Sequence, residues 1–408
     1  MDQNFEREAL LLLLIAALVA MVTRRLKLPY AVGLVAAGIG VALLPFAPKI
    51  ALTKDLIFTG LLPPLLFEAA FYLRWKEFRR DLPVIAVLAT LGVLISAAIT
   101  TVGMHYLARW EWLSALVFGV LIAATDPVSV IAVFREAHAH GRLRLLVEAE
   151  SLLNDGTAAV GFGIAVALAA GQSISAPQAL WTALLNTAGG ILCGAVVGQL
   201  VLFLIVRTGD HLVETVCTMI AAYGSFLLAD TLHLSGVFAT ITVGLMLGNM
   251  TEPGLLSKRG REAVQNFWEY AAFLANSLIF LLIGIEDASQ QFGPVWVAVI
   301  SAIAVVTLGR AAAVYPLCLL FEKSSLRVSR RHQHVLFWGG LRGALALALV
   351  LGLPPNIPGR ESIVRVSFAV VAFSIFVQGL TIAPLLRAVG EIPSPALAVP
   401  SAERTGTD

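Results

Sequence analysis

The stretch LRLLVEAESLLNDGTAAVGFGIAVALAA, residues 143–170, decides how this chain folds. It is long enough to cross a bilayer, because about 20 predominantly apolar residues span the hydrocarbon as a helix. Near its middle, however, it carries Glu150, Ser151, Asn154 and Asp155. Ser151 and Asp155 share one helix face, and Glu150 and Asn154 share the adjacent face. Ionisable groups at this depth are costly, so the cluster predicts a functional site, with a purely structural polar cluster as the less favoured alternative.

The composition of the whole chain places this stretch in a membrane protein. Apolar residues make up 58% of the 408 residues and charged residues only 13%, against about 25% charged in ordinary globular domains. The mean hydropathy is +0.87. These values predict an all-α polytopic membrane protein built as one domain. The formal net charge of +2 provides no field that would attract nucleic acid.

The same length criterion, applied along the chain, predicts thirteen transmembrane segments. Bases follow the first apolar run and no small-residue cleavage site is present, so we expect a retained span with the N-terminus outside. In that orientation 20 of the 28 Lys and Arg residues fall on inner connections and 6 on outer segments, as the positive-inside rule requires. The transmembrane domain is predicted to cover residues 1–388, followed by a short cytoplasmic tail, 389–408, with no soluble domain. The predicted segments are 7–23, 30–46, 53–73, 83–107, 112–135, 143–170, 177–206, 212–231, 235–249, 263–285, 294–321, 333–352 and 362–388.

The fifth segment contains a predicted helix break. Asp126 lies near its centre, directly before Pro127. Because proline has no N–H, the carbonyl of Ala123 loses its helical partner. A broken membrane helix with a carboxylate at the break is typical of ion sites. The pattern therefore predicts an ion site, with a proline kink beside a structural aspartate as the alternative.

Three further ionisable residues lie inside predicted segments: Glu68 in the third, Arg310 in the eleventh and Arg342 in the twelfth. Glu68 could instead extend to the inner interface. Both arginines stay protonated, so each needs an acidic or a backbone partner. With Glu68 and the three carboxylates of the polar segments ionised, the membrane interior would carry a net charge of −2. Hard cations prefer such oxygen ligands, and protons would compete for the same oxygens, which is the physical basis of antiport.

The order of the segments predicts an inverted repeat. The first six segments begin outside and the last six begin inside, with the seventh as a linker. Two halves of opposite orientation are typical of secondary transporters. The fifth and twelfth segments occupy the same place in the two halves, and both carry interruption signals, a proline in one and the glycines of GGLRGA, residues 339–344, in the other.

Three motifs, TDP at 125–127, ESLLND at 150–155 and GGLRGA at 339–344, together resemble the monovalent cation:proton antiporters of the NhaP/NHE branch. The resemblance implies a homodimer with the inverted-repeat antiporter fold, in which helices 5 and 12 are unwound and cross. Helices 4–6 and 11–13 would form the ion-transporting core, helices 1–3 and 8–10 the dimer side, and helix 7 the linker.

The resemblance also implies roles for individual residues. Glu150 would pair with Arg310, Arg342 being the alternative partner, and Asn154 beside the second aspartate is typical of the family's electroneutral members. Pro127 would support the unwound segment. The transported ions would be bound by Asp126, Asp155, the side chain of Ser151, the backbone carbonyl of Thr125 and, through water, Glu68.

The expected function is electroneutral exchange of Na⁺ or Li⁺ for H⁺ across a plasma membrane, serving pH and sodium homeostasis without a cofactor. K⁺/H⁺ exchange is the close alternative, because side-chain identities do not fix ion size. A cation channel is disfavoured by the compensated buried charges and the lack of a recognisable filter loop. An intramembrane enzyme is disfavoured because no HExxH motif occurs and Ser151 has no histidine nearby in the segment.

The cysteines and two loop histidines are assigned no chemistry. Cys193, Cys217 and Cys318 lie in apolar runs, which predicts buried thiols rather than disulfides or metal ligands. His138 and His140 are predicted to be solvated loop residues.

Overall fold

The computed structural model describes residues 3–26, 28–44, 52–137, 141–249, 258–290 and 292–392. Over these ranges the chain is helical, and its only β-type pairing is one isolated antiparallel bridge, Asp126 with Leu341. His138, His140 and most of the predicted tail lie outside the described residues. The predicted all-α membrane architecture is confirmed.

Each predicted segment overlaps a helix, and the fifth and the twelfth each consist of two pieces. Eight helices are long and apolar enough to cross a membrane, so the number of crossings stays a prediction. The helices are α1 (Gln3–Leu26), α2 (Tyr30–Ala42), α3 (Leu56–Tyr72), α4 (Trp75–Leu107), α5a (Trp112–Leu121), α5b (Val128–Glu136), α6 (Arg142–Ala169), α7 (Ala176–Ile205), α8 (His211–Thr231), α9 (Gly236–Gly248), α10 (Lys258–Ser289), α11 (Trp296–Leu319), α12a (Arg330–Trp338), α12b (Ala344–Leu351) and α13 (Arg360–Ala388).

The sequence Asp81-Leu82-Pro83 predicts a turn before the fourth segment, and the start of α4 corrects this prediction. The helix begins at Trp75 and Pro83 lies inside it. Asp81, in the turn before the proline, is fully buried, and its carboxylate accepts from Arg142 of α6 at 2.8 Å and from Arg80 at 3.0 Å. Proline removes one helical N–H, and this tertiary contact fixes the preceding turns against α6, so context overrides the local turn signal.

The helices pack in two groups. In the first group α2 packs along α10, and α3 packs on α9 and α10, with α1 and α8 beside them; in the second, α4 packs on α11 and α5a, and α5a packs on α6, with α12 and α13 completing the group. Helix α7 packs against α8 and α9 and also contacts α6. The assignment of these groups as a dimer side and an ion-transporting core stays a prediction.

Close backbone contact is visible where α2 crosses α10. A Cβ added at Gly38 would overlap the carbonyl of Leu281, and one added at Gly284 would overlap the carbonyl of Val35. Small residues of this kind allow membrane helices to approach closely. All three cysteines are buried and free, as predicted.

Candidate ion site where two interrupted helices cross

Helices α5 and α12 are both interrupted, and their unwound segments touch. The break in α5 lies between Leu121 and Val128, and the break in α12 between Trp338 and Ala344. The backbone N–H of Asp126 donates to the carbonyl of Leu341 at 2.7 Å. This bond satisfies a donor that the broken helix would otherwise leave unpaired at membrane depth.

The carboxylate of Asp126 lies at the N-termini of two half-helices. It accepts from the backbone N–H of Val128, the first residue of α5b, at 2.9 Å, and from that of Ala344, the first residue of α12b. Helix N-termini carry a partial positive charge, so both half-helices stabilise a negative charge at this point. A Cβ added at Gly343 would overlap the same carboxylate, which explains why this position needs glycine.

Polar side chains of α6 bind the residue before Asp126. The hydroxyls of Thr125 and Ser151 are 2.9 Å apart. The amide group of Asn154 donates to the Thr125 hydroxyl at 2.5 Å, and its oxygen accepts from the Thr125 backbone N–H at 3.1 Å. The unwound segment of α5 is therefore fixed to the middle of α6, where the sequence places its polar cluster.

Glu150 and Arg310 form a buried bidentate ion pair. The guanidinium donates to the two carboxylate oxygens at 2.8 and 2.9 Å, and the exposed fractions of the residues are 1% and 7%. Arg310 also donates to the carbonyl of Leu336 at 2.9 Å, and Asn154 donates to Glu150 at 3.1 Å. Bidentate charge-assisted bonds of this type are strong and fix geometry. Helices α6, α11 and α12a are thereby connected at the level of the crossing.

Arg342 has backbone partners instead of an acidic one. Its guanidinium donates to the carbonyls of Ala123 and Ala124, each at 3.2 Å. These carbonyls follow α5a, and Pro127 deprives the first of them of its helical partner. The positive charge of Arg342 therefore compensates the negative end of α5a.

Asp155 lies near Asp126, and among the residues that the structure describes it has no fixed partners like those of Glu150. Both aspartates are half-buried, whereas Glu150 and Asn154 are buried. Asp155 interacts electrostatically with Asp126 and Glu150. Two partly accessible carboxylates and the Ser151 hydroxyl offer oxygens of the kind that hard cations prefer. Binding of the ion by these groups and by the Thr125 carbonyl stays a prediction.

Glu68, the remaining predicted ion ligand, is engaged elsewhere. Its carboxylate accepts from Arg135 of α5b at 2.8 Å, and it interacts electrostatically with Glu269 and Arg144. The structure thus brings Asp126, Asp155, Ser151 and the Thr125 segment together at the crossing, and pairs Glu68 with an arginine.

The sequence reading missed two residues that support the crossing. The hydroxyl of Ser374 accepts from the backbone N–H of Arg342 at 2.8 Å and donates to Gln378 at 2.5 Å. Ser374 and Gln378 both belong to a π-helical turn inside α13, Ser374–Gln378. Such turns often occur at functional sites, and two polar residues four apart in an apolar run are a signal that could have identified them.

Comparisons with known proteins agree with this geometry. Residues 10–388 match the family described as sodium/hydrogen exchanger, transmembrane, and the chain belongs to this family of membrane transporters. It is 37% identical over 368 residues to the Na(+)/H(+) antiporter ApNhaP of Aphanothece halophytica, covering 90% of this chain and 70% of that one. It is 34% identical over 350 residues to the Na(+)/H(+) antiporter NhaP of Pseudomonas aeruginosa, covering 82% of this chain and 81% of that one.

The fold is that of a solved antiporter. The sodium proton antiporter MjNhaP1 of Methanocaldococcus jannaschii, seen by electron microscopy, superposes with a TM-score of 0.77 at 20% identity, covering 97% of this chain and 100% of that one. A structure of the same antiporter at pH 8 gives a TM-score of 0.71 at 21% identity, covering 94% of this chain and 96% of that one. The antiporter fold expected from the resemblance is confirmed.

Proposed function

We propose that this protein exchanges Na⁺ for H⁺ across a membrane. The observation that carries the proposal is the position of Asp126, whose carboxylate is held at two half-helix N-termini and interacts electrostatically with a second, partly accessible aspartate. The family match and the Na(+)/H(+) antiporters among the relatives also support Na⁺ and H⁺ as the two exchanged ions. K⁺ as the exchanged cation is not favoured.

Exchange follows from competition at one site. Asp126 and Asp155 bind either a cation or a proton, since both neutralise the same carboxylate oxygens. An uncompensated charge is costly at this depth. The site therefore reorients across the membrane only when it has bound either a cation or a proton. Rigid-body movement of one helix group against the other is the usual route to alternating access in inverted-repeat transporters, and the two packing groups are consistent with it.

The charge of the site supports a one-to-one exchange. Three carboxylates, on Glu150, Asp126 and Asp155, lie near two guanidinium groups, on Arg310 and Arg342, so the ionised site carries a net −1. The sequence-based count of −2 included Glu68, whose charge Arg135 compensates in the structure. One Na⁺ or one H⁺ restores neutrality, and a second charge of either kind is not needed.

Several wider features belong to the same proposal. The protein acts as a homodimer in a plasma membrane with the N-terminus outside, contributes to pH and sodium homeostasis, and performs no covalent catalysis. The distribution of Lys and Arg supports the orientation.

Reconstitution into proteoliposomes tests the exchange directly. With a pH dye inside, external Na⁺ and Li⁺ should each produce a proton movement, and choline should not. K⁺ provides the comparison for ion preference. A response to Na⁺ no larger than the response to choline would contradict the proposal.

A further inference from the structure

Helix α5b is a short rod with a functional group at each end. Its first residue, Val128, donates its backbone N–H to the carboxylate of Asp126. Its last turn carries Arg135. The helix is nine residues long, so about 10 Å of rigid helix separates its first residue from the arginine.

Arg135 contacts two helices of the other packing group. Its guanidinium donates to Glu68 of α3 at 2.8 Å and lies 4.0 Å from Glu269 of α10. Helices α3 and α10 pack together in the first group, whereas α5b contacts α6 and α13 of the second group, and also α2. The ion pair therefore bridges the two groups at the far end of the helix that holds Asp126.

We propose that Arg135 is a positioning residue for exchange: its ion pairs with Glu68 and Glu269 hold α5b against the first helix group in one of two alternating states. This inference rests on the proposed function. If the two helix groups move relative to each other, these contacts must break, and α5b transmits the displacement to Asp126. The pair thereby sets the relative population of the two states.

The surroundings of the Glu68–Arg135 ion pair indicate that it stabilises the state in which it forms. Glu68 is only 9% exposed, and a buried carboxylate without a counter-ion is costly. Arg135 and Glu269 are more exposed, with side-chain exposures of 42% and 63%, so they can separate into water. Glu148 of α6 also interacts electrostatically with Arg135, and it offers the arginine a partner within its own group when the bridge opens.

A cross-link between the groups tests the proposal without touching the candidate ion ligands. The double variant Arg135→Cys/Glu269→Cys is treated with a short bifunctional methanethiosulfonate and assayed for Na⁺-driven proton movement before and after reduction. We expect a loss of transport of about tenfold or more, reversed by the reductant. Na⁺-dependent thermal stabilisation should persist in the cross-linked protein, because binding in one state does not need the movement.

Two controls make the result specific. Arg74→Cys/Glu77→Cys replaces an exposed pair 3.2 Å apart at the start of a single helix, α4, so its cross-link should leave transport unchanged. A monofunctional methanethiosulfonate on Arg135→Cys/Glu269→Cys should leave transport at the level of the untreated double variant. Undiminished transport by the cross-linked pair, or failure of the pair to cross-link at all, would overturn the inference. Absence of exchange in the unmodified protein would instead contradict the proposed function.

Single substitutions give an independent readout. Arg135→Gln removes the bridge, and the apparent KM for Na⁺ and kcat should both change, by about threefold or more, because hinge-type positions affect both constants. Arg135→Lys retains the charge and should recover most of the effect. Unchanged kinetic constants in folded Arg135→Gln, with only a lower melting temperature, would reduce Arg135 to a structural role and overturn the inference.

Discussion

The two aspartates at the crossing differ from Glu150 and Asp81 in their surroundings. Glu150 and Asp81 are held by arginines at hydrogen-bonding distance, whereas Asp126 is held by backbone N–H groups. A carboxylate without a fixed counter-ion is free to exchange one small cation for another. This difference in partners distinguishes Asp126 and its neighbour Asp155 from Glu150 and Asp81, and it supports their predicted role as the exchanging groups.

Removing either exchanging carboxylate should abolish transport. Asp126→Asn and Asp155→Asn keep the volume of the side chain but cannot bind a proton and a cation in turn, so we expect at least a ~100-fold loss of Na⁺-driven proton movement. Glu361→Gln, which affects an exposed ion pair with Arg365, is the matched control and should transport normally. A correctly folded aspartate variant with a near-normal dye response would contradict the site.

The Glu150–Arg310 pair should contribute to stability more than to ion binding. Neutralising one partner leaves the other charged and buried, which costs about 3–5 kcal/mol, so Glu150→Gln and Arg310→Gln should each lower the melting temperature strongly. The double variant should recover part of the loss, but not all, because Arg310 also binds the Leu336 carbonyl. Thermal unfolding in detergent gives the comparison, and a double variant that loses the sum of both single effects would exclude the pair.

At the scale of the element, the break in α5 contains a proline, whereas the break in α12 depends on glycine. Gly343 has no room for a Cβ beside the Asp126 carboxylate. Gly343→Ala should therefore displace the N-terminus of α12b from Asp126 and weaken apparent Na⁺ affinity by about tenfold, equivalent to ~1.4 kcal/mol.

The matched control for this glycine lies in α6. A Cβ at Gly163 meets nothing within 4 Å, so Gly163→Ala should leave the concentration dependence of the Na⁺ response unchanged. Equal Na⁺ affinities in the two variants would show that close packing at the crossing does not position Asp126.

The local sequence predicted the helices and their interruptions well, but it did not predict which residues far apart in the chain contact each other. The interruption in α5 was predictable because proline has a fixed structural effect, and the polar cluster of α6 because four polar residues in an apolar span are conspicuous. The partner of Glu68 was not predictable, since Arg135 lies 67 residues away in the chain. The same holds for Pro83, where a buried contact of Asp81 outweighs a local turn signal.

At the scale of the whole molecule, the ion pairs sort by the helix groups that they connect. Glu150–Arg310 and Asp81–Arg142 both lie within the second group, and the helices of the latter pair, α4 and α6, also pack together. Glu68–Arg135 joins the two groups. A contact within a group resists unfolding, whereas a contact between groups is strained by any relative movement, so the two kinds should affect stability and transport differently.

Electroneutral exchange is the prediction that belongs to the charges of the whole molecule. With Arg310 and Arg342 inside the site and Glu68 compensated by Arg135, the ionised site carries −1. One cation or one proton neutralises it, and an uncompensated charge at this depth costs about 2.5–3.5 kcal/mol or more. We therefore expect the site to be electrically neutral when it moves across the membrane in either direction.

In proteoliposomes with the membrane potential clamped by K⁺ and valinomycin, the Na⁺-driven pH change should be insensitive to voltage once proton leak is controlled. Because moving one net charge through 100 mV is worth about 2.3 kcal/mol, an electrogenic exchanger would reach a visibly different final Na⁺/H⁺ distribution at each imposed potential. A distribution that shifts systematically with voltage would show net charge movement and would contradict electroneutral exchange.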